Sequence, residues 1–86
     1  MKYTVLWTPP AEEQLAAIWL RAEDRRQVTS AARTIDAMLR EDPQERGESR
    51  SGTKRIMFAP PLGIDFNVLE DDRLVYVLGV WTIHIT

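Results

Sequence analysis

Two stretches of apolar residues at helical spacing, whose predicted helices are separated by only a residue or two, restrict most strongly what this chain folds into. The first predicts a helix over residues 9–22, capped by Thr8 and opened by Pro9, which suits the first helical position. A capping-box pattern at Asp24 begins the second helix, and Asp42 before Pro43 ends it. Because the link is so short, the two helices are predicted to form an antiparallel αα-hairpin. Its apolar stripes are Ala11, Leu15, Ile18, Trp19 and Ala22, then Val28, Ala31, Ala32, Ile35, Met38 and Leu39.

Alternating or fully apolar runs on either side of this hairpin predict strands. Residues 3–7 alternate before the helices, and three further runs follow them at 54–59, 63–69 and 74–81. Residues 43–53 contain no large apolar side chain and are predicted to be a loop. The last run is apolar on both faces, which is typical of a strand inside a sheet. The order β-α-α-β-β-β predicts an α+β, two-layer domain: an antiparallel sheet covered on one face by the αα-hairpin.

Size and composition exclude several classes of protein. Eighty-six residues are too few for two compact cores, so residues 1–86 are predicted to form a single domain. A hydrophobic content of 44% excludes a disordered tail, and no apolar run approaches the ~20 residues of a membrane span. With one His and no Cys, neither a His/Cys zinc site nor a Cys–His nucleophile is possible. We expect no metal, no cofactor, no membrane association and a cytoplasmic location.

Charge is unevenly distributed along the chain. The net charge of −2 and the pI of about 5.3 argue mildly against a nucleic-acid partner. Residues 46–55, however, have an excess of three positive charges: Arg46, Arg50, Lys54 and Arg55 against Glu48. Such a patch can bind phosphates or carboxylates, although a solvated loop that keeps the protein soluble is the simpler interpretation. The only histidine, His84, is either a frayed C-terminal residue or a general acid or base at the edge of the sheet.

Five short motifs occur in a fixed order along the chain. They are W-T-P-x-A-E-x-x-L-x-x-I-W at 7–19, I-D-x-x-L-x-x-D-P at 35–43, G-E-S-R-S-G at 47–52, R-I-M-F-A-P-P-L-G at 55–63 and V-L-x-V-W at 77–81. Together they resemble the RelE/ParE superfamily of toxins from bacterial type II toxin–antitoxin systems. The resemblance covers about residues 1–83, and the ordered set rather than any single motif is typical of the superfamily.

The resemblance implies candidate residues for RNA cleavage. RelE-like members cut mRNA in the ribosomal A site without a metal, using basic and acid/base side chains that help the ribose 2′-OH attack the adjacent phosphate. Arg50, Lys54 and Arg55 match basic positions of the family and are expected to stabilise charge on the phosphate. His84 matches a C-terminal His or Tyr that acts as general acid or base, and Glu48 is a second candidate base.

The expected RNA-binding residues are Arg46, Arg50, Lys54, Arg55 and Arg73. Arg73 stands at the start of the last strand, whereas some nucleases of the family have an arginine in its middle. The family's ribosome-dependent nucleases are strongly basic, and this chain is acidic.

The resemblance also implies partners and an alternative activity. A cognate antitoxin is expected to wrap the toxin, docking on the αα-hairpin and the sheet edge, and operator DNA is expected to be bound only through that antitoxin. The predicted function is a toxin that cleaves mRNA on the ribosome. The alternatives are a ParE-like inhibitor of DNA gyrase and a non-catalytic binding module that acts as a co-repressor.

Overall fold

Two helices pack on one face of a five-stranded mixed sheet. The computed structural model describes residues 2–45, 48–51 and 54–83, with the backbone alone for residues 45 and 48–51. In chain order the elements are β1 (Thr4–Trp7), α1 (Pro9–Arg21), α2 (Arg25–Glu41), a 3-10 turn (Pro43–Glu45), β2 (Glu48–Ser51), β3 (Lys54–Ala59), β4 (Leu62–Leu69) and β5 (Leu74–Thr82).

The helix boundaries follow the capping residues that the sequence predicts. Thr8 Oγ1 accepts a hydrogen bond from the backbone N–H of Ala11 at 3.4 Å, and Asp24 Oδ1 accepts one from Gln27 at 3.3 Å. Each bond satisfies one of the backbone donors that a helix leaves unpaired in its first turn. Both predicted helices are confirmed to within a residue or two of their predicted ends.

The strand order is β1-β5-β4-β3-β2, and the predicted α+β class with helices over one face is confirmed. One feature of the sheet differs from the prediction of a wholly antiparallel sheet. β1 pairs with β5 in parallel, from Thr4 opposite Leu74 to Trp7 opposite Val77, while every other pairing is antiparallel. Since β1 and β5 are separated by most of the chain, no tight turn forces them to run in opposite directions.

The predicted loop over residues 43–53 is wrong in part. It contains a short 3-10 turn and the strand β2, which pairs with β3 so that Glu48 lies opposite Ile56 and Ser49 opposite Arg55. A strand at the edge of a sheet is held by backbone pairing on one side only and needs no apolar side chain. Charged residues are common on such edges, so the composition that predicts a loop also fits an edge strand.

The hydrophobic core lies between the helices and one face of the sheet. The buried residues of β4 alternate, since Leu62, Ile64, Phe66 and Val68 face the helices. The residues between them, including Asp65 and Asn67, therefore lie on the opposite face, here called the open face. The helices contribute Ala11, Val28, Ala31, Ile35 and Leu39 to the core, and the other strands contribute Val5, Met57, Val75, Val77 and Val80. Within the described ranges, neither helix is long and apolar enough to cross a membrane.

Candidate functional site

The open face consists of three cross-strand rows over β3, β4 and β5. Residues directly opposite each other in an antiparallel pair project from the same face of the sheet. The pairing places Lys54, Asn67 and Tyr76 in the first row, Ile56, Asp65 and Gly79 in the second, and Phe58, Gly63 and Trp81 in the third. A cation, a carboxylate and an aromatic pair therefore share this face.

Lys54 and Asp65 form an ion pair between the first and second rows. Lys54 Nζ lies 3.1 Å from Asp65 Oδ2, and the two side chains are 46% and 18% exposed. An ion pair that is open to solvent contributes little to stability. The ion pair matters for the site because the Asp65 carboxylate holds the Lys54 ammonium group over the middle of the open face.

The second carboxylate oxygen of Asp65 is recessed into the sheet. Oδ1 is buried and has no hydrogen-bond partner among the described residues. It occupies space that the absence of a side chain at Gly79 provides, because a Cβ at that position would lie 2.7 Å from Oδ1. Gln14 of α1 borders the same place, since its Oε1 would lie 3.5 Å from that Cβ. The same oxygen accepts a hydrogen bond from the backbone N–H of Val80 at 2.8 Å.

This arrangement combines a charge that can bind phosphate with an oxygen that can accept a proton. Lys54 presents three N–H donors, of which Asp65 takes one, so the others can bind an anion. An ionised carboxylate accepts hydrogen bonds and can act as a general base. Asp65 is absent from the residues that the sequence predicts for the site. The available signal was its position in β4, where the alternation of residues 63–69 turns this one acid away from the core.

The structure separates the three described cations of the predicted RNA-binding set. Arg55 lies opposite the buried Phe66, so it projects towards the helices rather than towards the open face. Arg73 lies in the turn between β4 and β5 with a φ of 53°, and its guanidinium is 5.7 Å from the centre of the Tyr3 ring. Of these three, only Lys54 belongs to the rows of the open face.

The other predicted site residues are described only in part. Glu48 and Arg50 lie on β2, the strand next to Lys54, where the backbone alone is described. Arg46 and His84 lie outside the described residues. In the part of the chain that the structure describes, no group of three or more His, Cys, Asp or Glu side chains could hold a metal ion.

A second surface lies between the two helices and reaches Trp7 at the end of β1. It is an apolar groove of about 950 Å³, here called the helix groove, with Trp19 and Leu20 among the residues of its α1 wall. Trp19 Nε1 donates a hydrogen bond to Thr29 Oγ1 at 3.2 Å, and the Arg25 guanidinium lies 4.6 Å from the ring centre. Leu20 is 64% exposed, so the groove presents apolar surface to solvent.

One end of the helix groove is held by a polar contact. Trp7 Nε1 donates to Asp36 Oδ1 at 3.3 Å, and Arg40 Nε donates to Asp36 Oδ2 at 2.7 Å. Both carboxylate oxygens of Asp36 are thereby used, and the contact ties the end of β1 to α2.

Comparison with solved structures relates this architecture to known proteins. A chain of the toxin–antitoxin complex RelBE2 from Mycobacterium tuberculosis superposes with a TM-score of 0.80 at 15% identity, over 96% of this chain and 100% of that one. A chain of the chromosomal ParDE toxin–antitoxin system from P. aeruginosa gives 0.71 at 16% identity, over 96% and 98%. The isolated RelE toxin of E. coli gives 0.63 at 13% identity, over 98% and 87%.

The chain has the RelE-like fold. Its elements span nearly the full length of chains from two toxin–antitoxin complexes, so the likeness concerns the whole architecture and not a shared substructure. Neither protein-family models nor curated protein sequences match the chain. At identities of 13–16% the RelE-like fold alone is established, and the chemistry has to be argued from the side chains of this chain.

Proposed function

We propose that this chain is the toxin of a bacterial type II toxin–antitoxin system and acts in the cytoplasm. One observation carries the proposal: the RelE-like fold covers 96% of this chain and almost the whole of chains from RelBE2 and ParDE complexes. The ordered motifs of the sequence support the same assignment independently of the superposition.

The proposed activity is cleavage of mRNA at the open face without a metal ion. Asp65, through Oδ2 rather than the buried Oδ1, accepts the proton of the ribose 2′-OH, and the 2′-oxygen attacks the adjacent phosphorus. Lys54 stabilises the negative charge that develops on the phosphate. The bond to the 5′-oxygen breaks, and that oxygen leaves with a proton supplied by a general acid. Products are a 2′,3′-cyclic phosphate and a 5′-hydroxyl end. His84 remains the candidate for the acid, Glu48 a second candidate base, and Arg50 a candidate for a second phosphate contact.

The proposed partner is an antitoxin with an amphipathic segment that fills the helix groove. Exposed apolar side chains and charges of both signs line the groove, which suits a helix that buries its apolar face there. The charged lining residues are Glu12, Arg33, Asp36 and Arg40, of which the last two pair with each other. Operator DNA would then be contacted only by the antitoxin.

Inhibition of DNA gyrase is the second candidate activity. It is favoured by the placement of the described cations, because Arg55 projects from the opposite face of β3, Arg73 lies in the turn between β4 and β5, and the Lys54 charge is partly neutralised by Asp65. A surface of this kind is less suited to RNA than the concentrated basic patch that the sequence predicts. The likeness to a chain of a ParDE system agrees with this alternative.

Induced expression in a bacterial host tests the proposal and separates the two activities. A toxin should arrest growth, and co-expression of a small open reading frame adjoining the gene should relieve the arrest. A nuclease should produce new mRNA 5′ ends within minutes of induction, whereas a gyrase inhibitor should relax plasmid DNA and induce the DNA-damage response. Unchanged growth at high expression of the folded protein would contradict the toxin assignment and favour the non-catalytic binding module.

A further inference from the structure

Two aromatic rings meet on the open face above a glycine. Phe58 and Trp81 flank Gly63 in the third row. A Cβ at Gly63 would lie 2.5 Å from Trp81 Nε1 and 3.0 Å from Phe58 Cδ1, so both rings cover the glycine backbone from the same side. We call this pair of rings the aromatic platform.

Packing within the sheet explains the position of Trp81 but not that of Phe58. An aromatic ring laid over a glycine shields the exposed backbone of a strand, and Trp81 supplies that shielding. Phe58, however, is 56% exposed, although a Phe side chain gains stability mainly by leaving water. The core on the other side of the sheet contains neither residue. An exposed ring beside a half-buried indole is a surface available for stacking.

From this geometry we infer that the aromatic platform binds an unpaired base of single-stranded RNA. The inference rests on the proposed function and specifies how its substrate is held. Every nucleobase has a π face that can stack on an aromatic ring, which makes such contacts tolerant of sequence. The base that stacks is therefore expected to be fixed in position without being read for identity.

The position of Lys54 supports RNA over an apolar protein segment as the occupant. Lys54 and Phe58 lie on the same strand and the same face, four residues apart, which corresponds to about 13 Å along β3. Lys54 is the described cation of the open-face rows, since Arg55 projects from the other face of β3. A strand whose base lies on the aromatic platform can thus direct its phosphates towards positive charge, which an apolar segment would not use. The helix groove already provides a larger apolar surface for a protein partner.

Substitutions at Phe58 can separate stacking from simple hydrophobic contact. Phe58→Leu keeps an apolar side chain and removes the ring, while Phe58→Tyr keeps the ring. Leu20→Ala on α1 is the matched control, because it removes exposed apolar surface outside the open face. Binding is measured by fluorescence anisotropy with a labelled seven-nucleotide RNA of mixed sequence, using the full chain and with folding checked by circular dichroism.

The expected result is a loss of about tenfold in RNA affinity for Phe58→Leu, with wild-type affinity for Phe58→Tyr and Leu20→Ala. In a Trp7→Phe/Trp19→Phe background, in which Trp81 is the remaining tryptophan, RNA should quench the fluorescence in proportion to binding. The inference is overturned if the wild-type chain does not bind the RNA, if Phe58→Leu binds as tightly as Phe58→Tyr, or if Phe58→Leu weakens only the complex with an antitoxin. Growth arrest after induction is scored separately. Growth arrest without RNA binding would contradict RNA binding by the aromatic platform and leave the toxin assignment intact. RNA binding that depends on the Phe58 ring, without growth arrest, would support the platform and contradict the toxin assignment.

Discussion

Thr8 fastens the start of α1 to β5 through the carbonyl oxygen of Val77, which accepts the threonine hydroxyl at 2.8 Å. The Thr8 backbone N–H donates to the same oxygen at 3.1 Å, and Thr8 Oγ1 accepts from the Ala11 N–H at 3.4 Å. β1 ends at Trp7, so beyond Val77 none of the described strands lies along this edge of β5. Thr8 therefore follows the last residue of the β1–β5 pairing, caps α1 and satisfies the carbonyl oxygen of Val77 on the edge of β5.

Replacing Thr8 with alanine is expected to lower the free energy of unfolding by about 1–3 kcal/mol, because both the helix cap and the hydroxyl donor to β5 are lost. Thr8→Ser keeps both and should remain within about 0.5 kcal/mol of wild type. Urea unfolding followed by circular dichroism measures the difference. Equal stability of the two variants would show that the Thr8 hydroxyl contributes nothing.

Gly63→Ala is expected to lower the free energy of unfolding by about 1–3 kcal/mol, since the added methyl group overlaps Trp81 and Phe58. The cause can be isolated with Gly63→Ala/Trp81→Leu, in which the nearest overlapping atoms are removed. Thermal unfolding is measured for wild type, both single variants and the double variant. The loss of stability caused by Gly63→Ala should be smaller in the Trp81→Leu background than in the wild-type background. The same alanine effect in both backgrounds would place the strain elsewhere.

The helices and most strands could be predicted from the sequence because local chemistry decides them. Thr8, Asp24 and Asp42-Pro43 set helix ends through hydrogen bonds and backbone sterics within a few residues. The strand β2 and the parallel pairing of β1 with β5 depend instead on contacts between distant parts of the chain. Composition says little about an edge strand such as 48–51, which has no apolar side chain.

The candidate site could be predicted only in part for the same reason. Lys54 and Arg55 are adjacent in the basic segment, but adjacent residues of a strand project to opposite faces, and only Lys54 lies on the open face. The pairing of β3 with β4 decides that Asp65 lies beside Lys54, and no local signal in the sequence specifies that register. The meeting of Phe58 and Trp81 over Gly63 depends on two registers at once.

Removing the charge of Lys54 is expected to relieve growth arrest while the fold survives. Lys54→Gln keeps the length of the side chain and removes the cation that the proposed mechanism needs at the phosphate. The chain has one other lysine, Lys2, which is exposed, so Lys2→Gln is a matched control for the loss of one positive charge. Colony counts after induction and the yield of new mRNA 5′ ends are the measurements. Equal toxicity of Lys54→Gln and Lys2→Gln would exclude Lys54 from the activity.

Placing a charge in the helix groove is expected to weaken the proposed antitoxin complex. Leu20→Glu puts a carboxylate on a side chain that is 64% exposed in the free chain and would be buried by a docked helix. Leu69→Glu, at the end of β4, makes the same chemical change outside the groove. Isothermal titration calorimetry with the co-expressed partner should give a loss of at least tenfold for the first variant alone. A loss of the same size at Leu69 would point to the sheet as the docking surface.

Asp65→Asn separates the proposed proton acceptor from the proposed binding surface. The amide keeps the shape of the side chain and its contact with the space above Gly79, but it cannot take the 2′-OH proton. We expect RNA affinity to change by less than about threefold, while the single-turnover cleavage rate falls by about 10²–10⁴. Gly79→Ala is the companion variant, because its methyl group would displace Oδ1 without changing any charge. Gly79→Ala should also slow cleavage, because Asp65 is displaced while every basic residue is retained. Cleavage by Asp65→Asn at the wild-type rate would remove Asp65 from the mechanism and leave Glu48 or His84 as the base.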